Sequence, residues 1–219
     1  MRLAAEREAV AAAARRLAGE GLVLGTAGNV SVAAGDLVAV TPTGARLAEL
    51  DAQQVAVVDR SGVLVDGPLE PTSELALHLG VYERFDAGAV IHTHAPMATA
   101  LSCVLDGLPC VHYSMLLLGG TVRVAPYATF GTSELAQSVA AALDGRTAAL
   151  MANHGSVNYG ATLDAAVEGA LLLEWACGVY WHARALGEPR VLDEAQRAEV
   201  VAAAVERGYG QTKPAEEGG

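Results

Sequence analysis

The sequence predicts an α/β domain whose sheet is antiparallel rather than doubly wound. Strand-length and helix-length segments are mixed along the 219 residues, without internal repeat or linker. Two hairpin signals occupy the first third. Val30-Ser31-Val32 and Leu37-Val38-Ala39-Val40 flank a turn at Ala34-Gly35-Asp36, and Val55-Ala56-Val57-Val58 and Val63-Leu64-Val65 flank Asp59-Arg60-Ser61-Gly62. Hairpins join antiparallel neighbours, whereas parallel strands need long crossovers. With 52% hydrophobic residues the chain can bury a substantial core. This suits a single domain over residues 1–210, followed by a polar, glycine-ended tail at 211–219.

The elements follow in order. Residues 1–21 read as an amphipathic, alanine-rich helix ended by Gly19 and Gly21; Glu6, Glu8 and Glu20 contradict the apolar core of a secretory signal. After the hairpins, helices are expected near 74–85, 96–103, 133–143, 162–186 and 193–207. Strand-like runs, Gly88-Ala89-Val90-Ile91 and Ala148-Ala149-Leu150, lie between them. The most apolar helix, 170–181, is interrupted by Glu174 and closely preceded by Glu168. It falls short of the ~20 apolar residues that span a bilayer and reads as a core or interface helix, with Trp175, Tyr180 and Trp181 packing there.

A net charge of −11, a single lysine (Lys213) and scattered arginines make nucleic acid and anionic membrane unsuitable partners. Cys103, Cys110 and Cys177 are odd in number and lack CxxC spacing, so reduced core thiols and a cytoplasmic location are expected.

The chemistry concentrates at His92-Thr93-His94, where an apolar run ends. Residues two apart in a strand project from one face, so both imidazoles could hold one metal ion. His154 follows a second strand-like run, and three neutral imidazoles form a catalytic zinc set with an open position. Spacing alone does not bring His154 to the pair. His78 and His182 fall within predicted helices and read as structural or surface residues, while His112 suits either orienting Tyr113 or core packing.

Two loops, Gly25-Thr26-Ala27-Gly28-Asn29 and Thr41-Pro42-Thr43-Gly44, combine glycines that free backbone amides with hydroxyl donors. Such loops hold phosphate or simply make turns. Pro71-Thr72-Ser73-Glu74 opens a helix with hydroxyl caps and a first-turn carboxylate. Its amides and dipole favour an anion, and Glu74 suits either dipole complementation or proton transfer.

Taken together, Gly28-Asn29, Thr43-Gly44, Ser73-Glu74, His92-x-His94, His112-Tyr113 with Gly119-Gly120, and Asn153-His154-Gly155 resemble the class II aldolase/adducin superfamily in order and interval. The resemblance covers about residues 1–210 and is greatest to the aldolases of L-fuculose 1-phosphate. It implies a three-layer α/β/α fold around a mostly antiparallel sheet and a fourfold homotetramer with active sites at subunit interfaces. On that resemblance His92, His94 and His154 bind one Zn2+ per subunit, and Glu74 is the acid/base. Asn29, Thr43, Gly44, Thr72 and Ser73 hold a sugar phosphate, with Thr26 and Gly28 shaping the loop. Tyr113 reaches in from a neighbouring subunit, and Tyr209 closes over the substrate.

The implied reaction is reversible cleavage of a ketose 1-phosphate to dihydroxyacetone phosphate and a short aldehyde. Zinc would take up the charge of an enediolate as a Lewis acid. Thr72 replaces a common serine, a change compatible with phosphate binding. Ser114-Met115-Leu116-Leu117-Leu118 is bulkier than the small-residue stretch expected of the fuculose enzymes, so the aldehyde end departs from them. Aldolases of 5-deoxypentulose phosphates, ribulose-phosphate 4-epimerases and methylthioribulose-phosphate dehydratases are the alternative activities. The epimerases typically carry aspartate where Glu74 stands. A metal-free, adducin-like binding module is the non-catalytic alternative, opposed by the intact histidines and Glu74.

Overall fold

The structure, a computed structural model, describes residues 1–208. Its elements are α1 (Ala4–Gly19), β1 (Asn29–Ala34), β2 (Leu37–Val40), β3 (Ala56–Asp59), β4 (Leu64–Asp66), α2 (Leu75–Arg84), β5 (Ala89–Thr93), α3 (Pro96–Ser102) and β6 (Gly107–Leu108). They continue with β7 (Val122–Ala125), α4 (Ser133–Ala142), β8 (Ala148–Met151), β9 (Gly155–Gly160), α5 (Leu163–Leu186) and α6 (Glu194–Arg207). The strands form one sheet in the order β4-β3-β2-β1-β5-β9-β8-β7-β6. Every junction is antiparallel except β7 with β8.

Strand alternation divides the core into two faces. Val30, Ala89, Ile91, Ala148 and Leu150 pack with Ala14 of α1, Ala98 of α3 and Leu173 of α5. Their neighbours Val90, Ala149 and Met151 turn the other way, against Leu77 and Val81 of α2 and Leu135 and Val139 of α4. The result is the expected three-layer α/β/α arrangement with helices on both sides of a mostly antiparallel sheet.

Both hairpins form where the turn residues place them, and the five later helices begin and end within one residue of the expected limits. Their starts have identifiable partners. Thr132, Thr162 and Asp193 accept hydrogen bonds from the amides of Leu135, Ala165 and Gln196, removing otherwise unpaired donors. α3 begins at Pro96, and the Glu174 carboxylate accepts from the Met97 and Ala98 amides at 2.9 and 2.8 Å. The charge that interrupts the apolar run of α5 therefore caps the helix that follows His94. Among the described residues no helix is long and apolar enough to cross a membrane.

Three strands go beyond the sequence reading: β6, β7 and β9. The last, Gly155-Ser156-Val157-Asn158-Tyr159-Gly160, reads as a polar, glycine-bounded loop yet lies between β5 and β8 with Ser156 and Asn158 buried. A Cβ at Gly155 would run into the Thr93 carbonyl, so glycine permits the close strand approach there. One cysteine expectation is corrected. Cys110 and Cys177 are buried, but Cys103 is exposed because it caps the outer end of α3.

Candidate active site

The sheet register sets the site. β1 and β5 are neighbours with Asn29 opposite His92, and His92 shares its face of β5 with Val90, toward α2. His94 lies one residue beyond β5, and Glu74 immediately precedes α2. His154 sits in the turn between β8 and β9, next to Asn153, whose φ of 56° suits asparagine's tolerance of the left-handed region. The fold thereby brings the third histidine to the pair. His92 Nε2 is 3.0 Å from His94 Nε2, and Glu74 reaches His92 Nε2 at 3.1 Å and His154 Nε2 at 3.5 Å.

The donor pattern of this cluster fits a cation. His92 is fully buried and faces the Ser156 carbonyl through Nδ1 at 2.9 Å, so a neutral ring donates there and keeps a lone pair on Nε2. That lone pair faces His94 and the Glu74 carboxylate, while the buried Glu74 Oε1 has no hydrogen-bond partner. One ligand nitrogen from each histidine lies within 4.8 Å of the others. Imidazole donors with a carboxylate beside them suit a borderline divalent ion such as zinc.

The protonation states agree. Burial, reinforced by the charges of His92 and His154, pushes the His94 pKa down to about 4. Burial and His92 lower His154 as well. For Glu74, burial acts upward but is outweighed by the His92 hydrogen bond and charge, the Asn29 hydrogen bond and His154, which bring its pKa to about 2. At neutral pH His94 and His154 are therefore neutral imidazoles and Glu74 a carboxylate, the forms that bind metal.

Beside it opens a pocket of about 310 Å³, small by the standards of ligand sites. Thr26, Gly28 and Asn29, Thr43 and Gly44, Thr72, Ser73 and Glu74, and then His94 and His154 all line it, so both glycine loops and the start of α2 converge on the histidines. His92 is buried behind the lining. Among the described residues that line the pocket none is lysine or arginine, leaving hydroxyls, amides and the positive end of α2 as its anion-attracting groups. Gly28 has φ +89°, and a Cβ there would sit 2.9 Å from the His92 carbonyl oxygen. The loop thus passes directly against the strand that carries His92 and leads into His94.

Other residues fall differently. Tyr127 and Phe130 form an exposed aromatic rim on this pocket, in an aperiodic segment between β7 and α4 that sequence reasoning left unassigned. His78 is fully buried behind the site and hydrogen-bonded to Asn29. Tyr113 does not line the pocket. It begins a 3₁₀ turn, Tyr113–Leu118, and borders a groove with Val200 and Ala203 of α6. His112 lies against it with ring centroids 4.4 Å apart and accepts from the Ser114 amide. His182 is exposed on α5. Tyr209 lies outside the described residues.

This fold is that of a family. The chain belongs to the class II aldolase and adducin N-terminal domain family, whose profile matches residues 8–181. It is similar to the 5-methylthioribulose-1-phosphate/5-deoxyribulose-1-phosphate aldolase of Rhodospirillum rubrum, at 42% identity over 84% of this chain and 85% of the relative. It also resembles the 5-deoxy-D-ribulose 1-phosphate aldolase of Bacillus thuringiensis, at 36% identity over 96% of this chain and 100% of the relative. A solved structure of an L-fuculose 1-phosphate aldolase superposes with a TM-score of 0.87 at 36% identity, covering 94% of this chain and 97% of that one.

Proposed function

We propose that the chain is a zinc-dependent aldolase that cleaves the bond between the third and fourth carbons of a short ketose 1-phosphate, releasing dihydroxyacetone phosphate and a small aldehyde. The observation that carries the reading is the Glu74 carboxylate set against three convergent imidazoles at one end of a pocket otherwise walled by hydroxyls and amides. His92, His94 and His154 would hold the metal, which when bound would supply Lewis-acid stabilisation of the negative charge that develops on cleavage. Family membership makes the aldol reaction the chemistry to expect at such a site.

The remaining roles fall to the chain's own groups. The substrate phosphate sits at the positive end of α2, held by Asn29, Thr43, Gly44, Thr72 and Ser73, in the loop shaped by Thr26 and Gly28. Glu74 exchanges the proton of the third carbon on Oε1, because Oε2 is already held by the Asn29 amide at 3.0 Å. The ionised carboxylate removes that proton from dihydroxyacetone phosphate in the condensation direction, and in cleavage it returns a proton taken up from water. Tyr113, which lies away from the pocket of its own chain, acts from a neighbouring subunit and accepts the proton of the fourth-carbon hydroxyl. The assembly is accordingly a homotetramer with sites at its interfaces, working in the cytoplasm, and Tyr209 closes over the substrate.

A 5-deoxypentulose 1-phosphate, or its methylthio analogue, is the substrate favoured here. Two relatives that match most of the chain carry those names, and the rim of Tyr127 and Phe130 suits an apolar fifth carbon. L-Fuculose 1-phosphate is the second reading, supported by the structural likeness. The test is a screen of the three ketose phosphates with enzymatic detection of dihydroxyacetone phosphate. Highest kcat/KM for 5-deoxyribulose or 5-methylthioribulose 1-phosphate is expected; preference for L-fuculose 1-phosphate favours the second reading, and no cleavage of any removes both.

A further inference from the structure

Two periodicities meet behind Glu74. On β1, Asn29 and Ser31 alternate with the core residue Val30 and so face α2, while Glu74, His78 and Tyr82 recur every four residues and form one stripe toward β1. The two rows interlock as a single chain of hydrogen bonds. Asn29 Nδ2 meets Glu74 Oε2 at 3.0 Å, Asn29 Oδ1 meets His78 Nε2 at 2.5 Å, His78 Nδ1 meets Ser31 Oγ at 2.6 Å, and Ser31 Oγ meets Tyr82 Oη at 2.7 Å. Asn29, Ser31, Glu74 and His78 are buried.

Donor and acceptor chemistry gives this chain one direction. An ionised carboxylate only accepts, so the Asn29 amide turns its NH₂ to Glu74 and its oxygen to His78. His78 must then donate from Nε2, and as a neutral ring it accepts at Nδ1 from the Ser31 hydroxyl, which accepts from Tyr82 in turn. Burial, with His92 nearby, pushes the His78 pKa down to about 3, so the ring stays neutral. A histidine that merely packs needs one partner, whereas this one uses both nitrogens in opposite senses and its chain ends on the carboxylate of the site.

We propose that His78 is a positioning residue for the active site: its Nε2–H locks the Asn29 amide in the orientation that presents N–H groups, not the carbonyl, to Glu74 and the substrate pocket. The proposal rests on the reading of Glu74 as the proton carrier. Without the lock, the Asn29 amide can rotate its oxygen toward Glu74 and set two acceptors against each other. Metal binding is unaffected, because no member of the chain from Asn29 to Tyr82 belongs to the histidine cluster.

The test has two arms on the zinc-loaded protein. Nitrogen NMR of the ¹⁵N-histidine-labelled protein, with the His78 signals identified by their loss in His78→Gln, should show a neutral Nε2–H tautomer. An Nδ1–H tautomer, or a charged ring at neutral pH, overturns the proposal whether or not the substrate has been identified. In the kinetic arm, His78→Leu should lower kcat by about 10- to 100-fold, the range for groups that orient active-site ligands, with zinc content held within about twofold. His78→Gln, which offers an N–H near the same place, should recover most of that loss. Equal losses in the two variants, in proportion to their melting temperatures, or full kcat in His78→Leu overturn it. Should the leucine variant not fold, Ser31→Ala removes the donor to Nδ1. A new Nδ1–H population is then expected, and an unchanged tautomer with unchanged kcat refutes the chain. Wild-type protein that cleaves no ketose phosphate while showing the Nε2–H tautomer removes the aldolase reading and leaves the hydrogen-bond chain standing.

Discussion

Replacing Gly28 by alanine tests how the loop is set against the histidine cluster. At φ +89° an alanine is strained, and its Cβ would lie 2.8 Å from Val23 Cγ1 and 2.9 Å from the His92 carbonyl oxygen. Gly35 provides the control: it has φ +59° in the first hairpin turn with nothing within 4 Å of its Cβ. Left-handed backbone costs an alanine about 1–2 kcal/mol, which is the whole expectation for Gly35→Ala. Gly28→Ala adds overpacking of about 1–3 kcal/mol, giving roughly 2–5 kcal/mol in all. In a chain of this size that lowers the melting temperature by about 2–4 °C per kcal/mol. The loop can relieve the overlap only by moving several tenths of an ångström away from His92, carrying Asn29 with it. Turnover should then fall by about 10- to 100-fold, in keeping with the cost of sub-ångström to ångström misplacement. Urea unfolding and dihydroxyacetone phosphate release measure the two effects on both variants. Equal destabilisation of Gly28→Ala and Gly35→Ala, with turnover retained in both, would refute the close approach.

Glu74→Gln keeps the size of the side chain and an acceptor for Asn29 but carries no proton, so kcat should fall by about 10² to 10⁴ with zinc content unchanged. Near-normal turnover, or retained solvent exchange at the reacting carbon of dihydroxyacetone phosphate, contradicts the role. Tyr113→Phe and Glu74→Gln subunits, each nearly inactive, should partly restore activity when mixed and reassembled. No gain after verified exchange means that Tyr113 does not serve a neighbour. Metal-free protein should lose stability on acidification. His94 takes a proton near 6.5 when unfolded but at about 4 when folded, and Glu74 near 4.5 against about 2. The unfolded chain therefore binds more protons from pH 6.5 down to about 2, and stability falls with pH through that window. A melting temperature that stays level or rises between pH 6.5 and 4 contradicts the assigned neutral histidine.

What was legible in the sequence depended on local signals. Turn residues at Gly35 and Gly62 act over four residues or fewer and marked the hairpins correctly, and the caps that the structure shows at Thr132, Thr162 and Asp193 are equally local. β9 was not legible, because its buried Ser156 and Asn158 imitate a loop and only its neighbours β5 and β8 make it a central strand. The His-x-His pair could be read from strand period. His154 joined it only through the β8–β9 turn, and the aromatic rim of Tyr127 and Phe130 only through the segment after β7. The His78 stripe was within reach: Asn29 and Ser31 at a spacing of two, with Glu74, His78 and Tyr82 at a spacing of four, are the periods of facing strand and helix. What the sequence withheld was the pairing of the two rows, which sheet order and helix placement supply.

The central claim is that His92, His94 and His154 hold the ion on which cleavage depends. The most direct measurement is a titration of zinc into metal-free protein while dihydroxyacetone phosphate release from 5-deoxyribulose 1-phosphate is followed. Activity should start near zero, rise linearly and break at about one ion per chain, with the fold intact throughout because the core does not depend on the site. Full turnover before any ion is added, or none at saturation, would contradict the account.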